Sequence, residues 1–195
     1  MEENHILLRG HTTQDPVFSH ESHGKRFFRQ PIAVPRLSGA VDTLNLLLTE
    51  EQASALPAGE NVEVTGAVRS FNNRSGVGSK LVITVFVQTL SPTAEPPENQ
   101  LTLSGVLCKP PIFRRTPLGR EICDLMLAVP RRYGRSDYLP CITWGATAAR
   151  AAGLAVGDRV ALEGRLQSRT YTKLENDQQV SKVAFEVSVS SLEVL

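Results

Sequence analysis

The sequence predicts an all-β protein made of two tandem five-stranded barrels, each with a short helix between its third and fourth strands. Three observations carry this prediction. Short apolar or alternating runs recur between glycine and proline turns, the run pattern is written twice, and one proline-rich break divides the copies.

Taken in order, residues 5–10 (HILLRG) give the first strand signal, followed by a loop with Asp15 and Pro16. Phe27 and Phe28 lead into Ala33-Val34-Pro35-Arg36, and residues 44–48 form a short apolar run that fits a buried strand. Thr49-Glu50-Glu51-Gln52 has the form of a capping box, opening a helix that ends before Pro57. Val62, Val64 and the Gly66 turn give a fourth strand, residues 71–80 a polar hairpin connection, and residues 81–90 a fifth strand. Residues 91–99 (SPTAEPPEN) read as a linker.

The same grammar then restarts. Gly10 and Gly24 correspond to Gly105 and Gly119, and Ala33-Val34-Pro35-Arg36 to Ala128-Val129-Pro130-Arg131, at one constant offset. Gly59-x-x-Val62-x-Val64-x-Gly66 recurs as Gly157-x-x-Val160-x-Leu162-x-Gly164. A second helix is expected over residues 147–152, and the alternation Val183, Phe185, Val187, Val189 marks the last strand. Two such copies describe a pair of barrels of the OB type, residues 1–90 and 100–195; a single β-sandwich is the alternative.

The 195 residues carry a net charge of +1, but unevenly. Residues 1–99 hold 8 Lys/Arg against 11 Asp/Glu, and residues 100–195 hold 13 against 9. A polyanion therefore suits the second copy better. Cys108, Cys123 and Cys141 form no CxxC pattern and read as buried thiols in a reducing compartment. The start MEENHILLRG is no signal peptide, no apolar run reaches membrane length, and the cytoplasm is expected.

Function is expected around residues 128–145 (AVPRRYGRSDYLPCITWG), which hold the only tryptophan and two of the three tyrosines. On a strand, Tyr138, Pro140, Ile142 and Trp144 share a face. Rings on one face beside Arg131, Arg132 and Arg135 can stack bases and neutralise phosphates together.

From about Leu101 onward the chain resembles the bacterial single-stranded DNA-binding protein family. The resemblance rests on the Gly-x-Leu-x-x-x-Pro opening at Gly105, the Thr-Pro-x-Gly turn at Thr116 and Leu127-Ala128-Val129. It extends to Trp144-Gly145 and Glu163-Gly164-Arg165-Leu166-Gln167. It implies base stacking by Tyr133, Tyr138, Trp144 and Tyr171, with Arg114, Arg115, Arg131, Arg132, Arg165, Arg169 and Lys173 tracking the phosphates. It implies no cofactor, no enzymatic activity and a homodimer carrying four barrels.

Family members usually continue into a glycine-rich tail with an acidic tip that recruits replication and repair proteins. This sequence runs only to Ser191-Leu192-Glu193-Val194-Leu195, so a form without that tail is expected. The first copy has no tyrosine or tryptophan, and Ser38 stands where Tyr133 does. It is therefore expected to serve assembly, with weak DNA contact at most.

His20-x-x-His23 is half of a metal-site pattern with no further ligand at suitable spacing, so surface histidines are expected. No nucleotide-cradling loop, nucleophile motif or clustered acidic trio points to catalysis. Single-stranded DNA binding in replication, repair or recombination leads the readings. A primosome-type accessory and a protein–protein scaffold are the alternatives.

Overall fold

The computed structural model describes residues 4–76 and 80–195 and is almost entirely β. The first half contains β1 (Asn4–Thr12), β2 (Val17–Ser22), β3 (Lys25–Pro35), β4 (Val41–Thr49), α1 (Glu50–Ala55), β5 (Asn61–Asn72) and β6 (Leu81–Pro92). The second half repeats this with β7 (Glu98–Leu107), β8 (Ile112–Arg115), β9 (Glu121–Pro130), β10 (Ser136–Trp144), α2 (Gly145–Ala151), β11 (Arg159–Glu175) and β12 (Gln178–Val194).

Six strands per half are present where five were expected, and all belong to one twelve-stranded sheet. The additional strands, β2 and β8, are hairpin arms on β3 and β9. They bury almost nothing, so they carry no apolar alternation for a sequence reading to find. The helices follow the fourth strand of each half. Thr49 and Gln52 form the expected capping box, while α2 starts two residues before the expected position, at Gly145. Of the expected 71–80 connection, β5 takes up Phe71 and Asn72, and Val77, Gly78 and Ser79 lie outside the described residues. The expected 91–99 linker is shorter at both ends, since β6 runs to Pro92 and β7 starts at Glu98, which leaves residues 93–97 between the strands.

In each half the strand pairings return to their starting point. The first half runs β1–β5–β6–β4–β3 and back to β1, and the second runs β7–β11–β12–β10–β9 and back to β7. β1 and β7 must bend to pair on two sides, and the repeated glycines permit the close crossing. A Cβ on Gly10 would collide with the Ala33 carbonyl oxygen, and one on Gly105 would come within 2.8 Å of that of Ala128. Alternating apolar residues fill the interior, among them Ile6, Leu8, Leu44, Leu46 and Val64, with Leu101, Leu127, Leu139 and Leu166 in the second half.

The halves join through β1 and β7, antiparallel, with Ile6 opposite Leu101. These two residues are repeat counterparts, so an approximate two-fold axis passes between them. Hydrogen bonds obey it. Asn4 donates to the Val68 carbonyl and accepts from its N–H, as Asn99 does with Leu166.

Two buried carboxylates clasp the junction. Asp42 accepts from the Ser168 N–H (3.1 Å), and Asp137 from the Ser70 N–H (2.8 Å). Each serine hydroxyl accepts in return, from Thr43 N–H and Tyr138 N–H respectively.

Candidate nucleic-acid interface

Strand register assembles most of the site on one outer face of the second half. Along β10, Leu139, Cys141 and Thr143 point inward, leaving Tyr138, Pro140, Ile142 and Trp144 on the outer side as expected. Pairing Trp144 with Ile122, and Ile122 with Arg114, brings Arg114 onto that side. The odd-numbered residues of β11 add Arg165, Arg169, Tyr171 and Lys173, with Ala184 and Lys182 of β12 opposite Arg169 and Tyr171. Arg115 falls on the other side of β8, beside Glu121 at 3.2 Å.

The rings differ in environment. Tyr138 is half exposed, and Trp144 and Tyr171 are partly buried. A guanidinium sits against two of them: Arg120 lies 4.9 Å from the Trp144 ring centroid, and Arg169 5.6 Å from that of Tyr171. Tyr133 stands apart on a 3-10 turn spanning Arg132–Gly134. Its φ of 64° is left-handed, and the turn holds the ring 96% exposed. A tyrosine held there carries backbone strain, of a kind that clusters at functional sites.

That turn borders a cleft between the halves, lined by Asn4, Arg69, Arg131, Arg132, Tyr133 and Arg135 among others. Arg131 and Arg69 approach the Asp137 carboxylate, at 3.5 and 3.1 Å. Arg132 and Arg135 form no ion pair among the described residues and are exposed. The counterpart of Arg69 in the repeat is Gln167, which bonds Glu186 instead.

Not every cation on the face is free. Arg114 binds Asp124 in a two-pronged contact (2.9 and 3.5 Å), which holds its proton even more firmly than usual. Arg169 pairs with the buried Glu186 at 3.2 Å. Arg165 bonds Gln167, and its affinity for the proton is lowered by partial burial and then by Arg36 across the junction. Arg120 and Lys182 were not among the expected site residues, and neither were the carboxylates Asp124 and Glu186. Arg120 sits at the end of the Thr116–Gly119 turn, where the resemblance already pointed. The carboxylates are revealed only by cross-strand pairing.

His20 stacks on Phe27, and no group of three metal-ligating residues occurs among the described residues. Cys123 and Cys141 are buried and Cys108 half-buried, its thiol donating to the Met126 carbonyl. No helix is long and apolar enough to cross a membrane.

The fold and this face define a β protein that offers rings and guanidinium groups along a sheet surface, the combination that grips an unpaired polynucleotide chain. Residues 98–195 match the model of the single-strand binding protein family, and the chain belongs to that family. Single-stranded DNA-binding protein B of Bacillus subtilis is 34% identical over 96 residues, 46% of this chain and 82% of that protein. The single-stranded DNA-binding protein of Halalkalibacterium halodurans is 31% identical over 84 residues, 40% of this chain and 50% of that protein. Over nearly the whole chain, the fold matches the wild-type single-stranded DNA binding protein from Thermus aquaticus. That match has a TM-score of 0.80 at 23% identity, covering 98% of this chain and 92% of the other.

Proposed function

We propose that this protein binds single-stranded DNA without sequence preference, through the outer face of its second half, in replication, repair or recombination. Tyr133, Tyr138, Trp144 and Tyr171 stack bases. Arg114, Arg115, Arg131, Arg132, Arg165, Arg169 and Lys173 supply the positive field, with Arg132 and Lys173 the freest to meet phosphates. The observation that carries this reading is the concentration of the chain's only tryptophan and all its tyrosines in the half that matches the family model. Stacking serves any sequence because every base has a π-face.

The two closed rings of pairing are read as two OB barrels, residues 1–90 and 100–195 around a 91–99 connection, with β2 and β8 as added hairpin arms. The first barrel serves assembly, and two chains pair as a cytoplasmic homodimer; sedimentation as a stable monomer would remove the dimer. Trp144 provides the test of binding. Adding oligothymidine quenches its emission, whereas duplex DNA at the same concentration leaves it nearly unchanged. Equal responses, or none, would sink the reading.

A further inference from the structure

The first half lacks the tyrosines and tryptophan of the second, yet its equivalent outer face is not bare. β4–β6 pairing puts Leu47 beside Phe86, and β3–β4 pairing puts Arg29 beside Leu47 and Phe27 beside Thr49. β5 contributes Arg69 and Phe71, and β2 contributes His20 opposite Phe27. Strand for strand this is the face that carries Tyr138 and Trp144 in the second half.

The rings have changed strands. Thr43, Thr49 and Asn73 occupy the repeat positions of Tyr138, Trp144 and Tyr171, while Phe27, Phe86 and Phe71 occupy those of Ile122, Ser188 and Arg169. The next residue, Phe28, packs on the core, but Phe27 and Phe86 remain partly exposed on the outside and Phe71 is half exposed.

These groups form a row. His20 stacks on Phe27 with centroids 5.0 Å apart and planes at 16°, and Phe27 lies 6.4 Å from Phe86. Arg69 sits 5.8 Å from the Phe86 centroid and reaches Asp137 in the second half. The row thus runs from the β2–β3 hairpin to the basic cleft beside Tyr133.

We infer that the first half is a second binding surface for the same single strand, which passes from the second half's face through the Arg69–Arg132–Arg135 cleft onto Phe86, Phe27 and Phe71. This rests on the function proposed above and revises the purely assembling role of the first half. Charge supports a nucleic acid over a protein here. The row carries Arg29 and His20 and ends at Arg69, whose only carboxylate partner among the described residues is the buried Asp137 of the second half, whereas Glu63, Glu95 and Glu98 gather around Arg9 near the junction. A groove beside the row is lined by Ser19, His20, Arg29, Phe71 and Val82, so ring and guanidinium face the same space.

The experiment compares short and long oligothymidines, of about 10 and about 35 nucleotides, to span one and both surfaces. In the double variant Phe27→Leu/Phe71→Leu, which keeps apolar bulk, Trp144 quenching by the short oligomer is unchanged. Affinity for the long one, read by anisotropy of a labelled strand, falls about tenfold or more. Arg29→Gln, at an exposed position that does not compromise folding, lowers the salt dependence for the long oligomer only. Conversely, Tyr138→Ala/Tyr171→Ala keeps a residual long-strand affinity that adding the two Phe→Leu changes removes. Unchanged long-strand affinity in Phe27→Leu/Phe71→Leu overturns the inference, as it would if this face took a protein instead. Absence of any Trp144 response in the unmodified protein overturns the proposed function, and the anisotropy of the tyrosine variant still reads the first half separately.

Discussion

Asp42 and Asp137, repeat counterparts, are both fully buried and each reaches across the junction to accept a backbone N–H of the opposite half. Each is also held by an arginine of its own half, Arg36 at 2.6 and 2.8 Å and Arg131 at 3.5 Å. A buried carboxylate is tolerable only with such partners, and here the partners come from both halves. Each half therefore completes the other's buried polar network, which ties the geometry of the basic cleft to the junction.

Replacing Asp137 by Ala leaves the Ser70 N–H without an acceptor and frees Arg69 and Arg131. Loss of one partner from a buried pair costs about 3–5 kcal/mol, and the partial exposure of both arginines puts this case near the lower end. Chemical denaturation should show that loss, with a smaller one for Asp137→Asn, which keeps one acceptor oxygen. A change under about 0.5 kcal/mol would mean that the clasp contributes little.

Tyr138→Ala and Tyr171→Ala should each weaken single-strand binding by about 1–3 kcal/mol, a factor of about 5 to 150. The loss should be alike for oligomers of thymidine, cytidine and adenosine. A penalty confined to one base would indicate base-edge recognition, which this ring-lined face does not provide for.

The arginines should not be equivalent in salt titrations. For single strands the slope of log affinity against log salt changes by about 0.7 per phosphate contact. Arg132→Ala should remove about that much, because its guanidinium has no carboxylate among the described residues. Arg114→Ala should change the slope less, since Asp124 already compensates its charge. Equal effects would place Arg114 on a phosphate at the expense of its pairing with Asp124.

How much of this was readable in sequence depended on whether the signal lay along one strand or between strands. Alternation in 138–144 gave the shared face of Tyr138 and Trp144, and the repeated glycines marked the crossings at Gly10 and Gly105. The partners of Arg114 and Arg169 were hidden, because Asp124 and Glu186 meet them only through hairpin register. The side on which Arg115 lies was hidden for the same reason: adjacent arginines on an exposed strand point to opposite sides. The outward grouping of Phe27 and Phe86 was not legible along any one strand, because only the β3–β4–β6 pairing brings them together.

The thiols give a prediction that does not involve DNA. Burial pushes the Cys141 thiol well above its ordinary range and the Cys123 thiol upward too, with the charges of Glu186 and Asp124 adding to each. Below about pH 9 both states hold these protons, and the thiols leave stability independent of pH. Above it the unfolded chain releases protons that the folded chain keeps, so stability falls as pH rises, by up to about 1.4 kcal/mol per pH unit for each buried thiol. Denaturation midpoints between pH 8 and 10.5 should decline accordingly, and Cys141→Ala should flatten the decline at some cost in packing. In the native state, alkylation at pH 8 should modify the half-buried Cys108 first. Modification of Cys141 at a comparable rate would show that the second half opens far more readily than its packing allows.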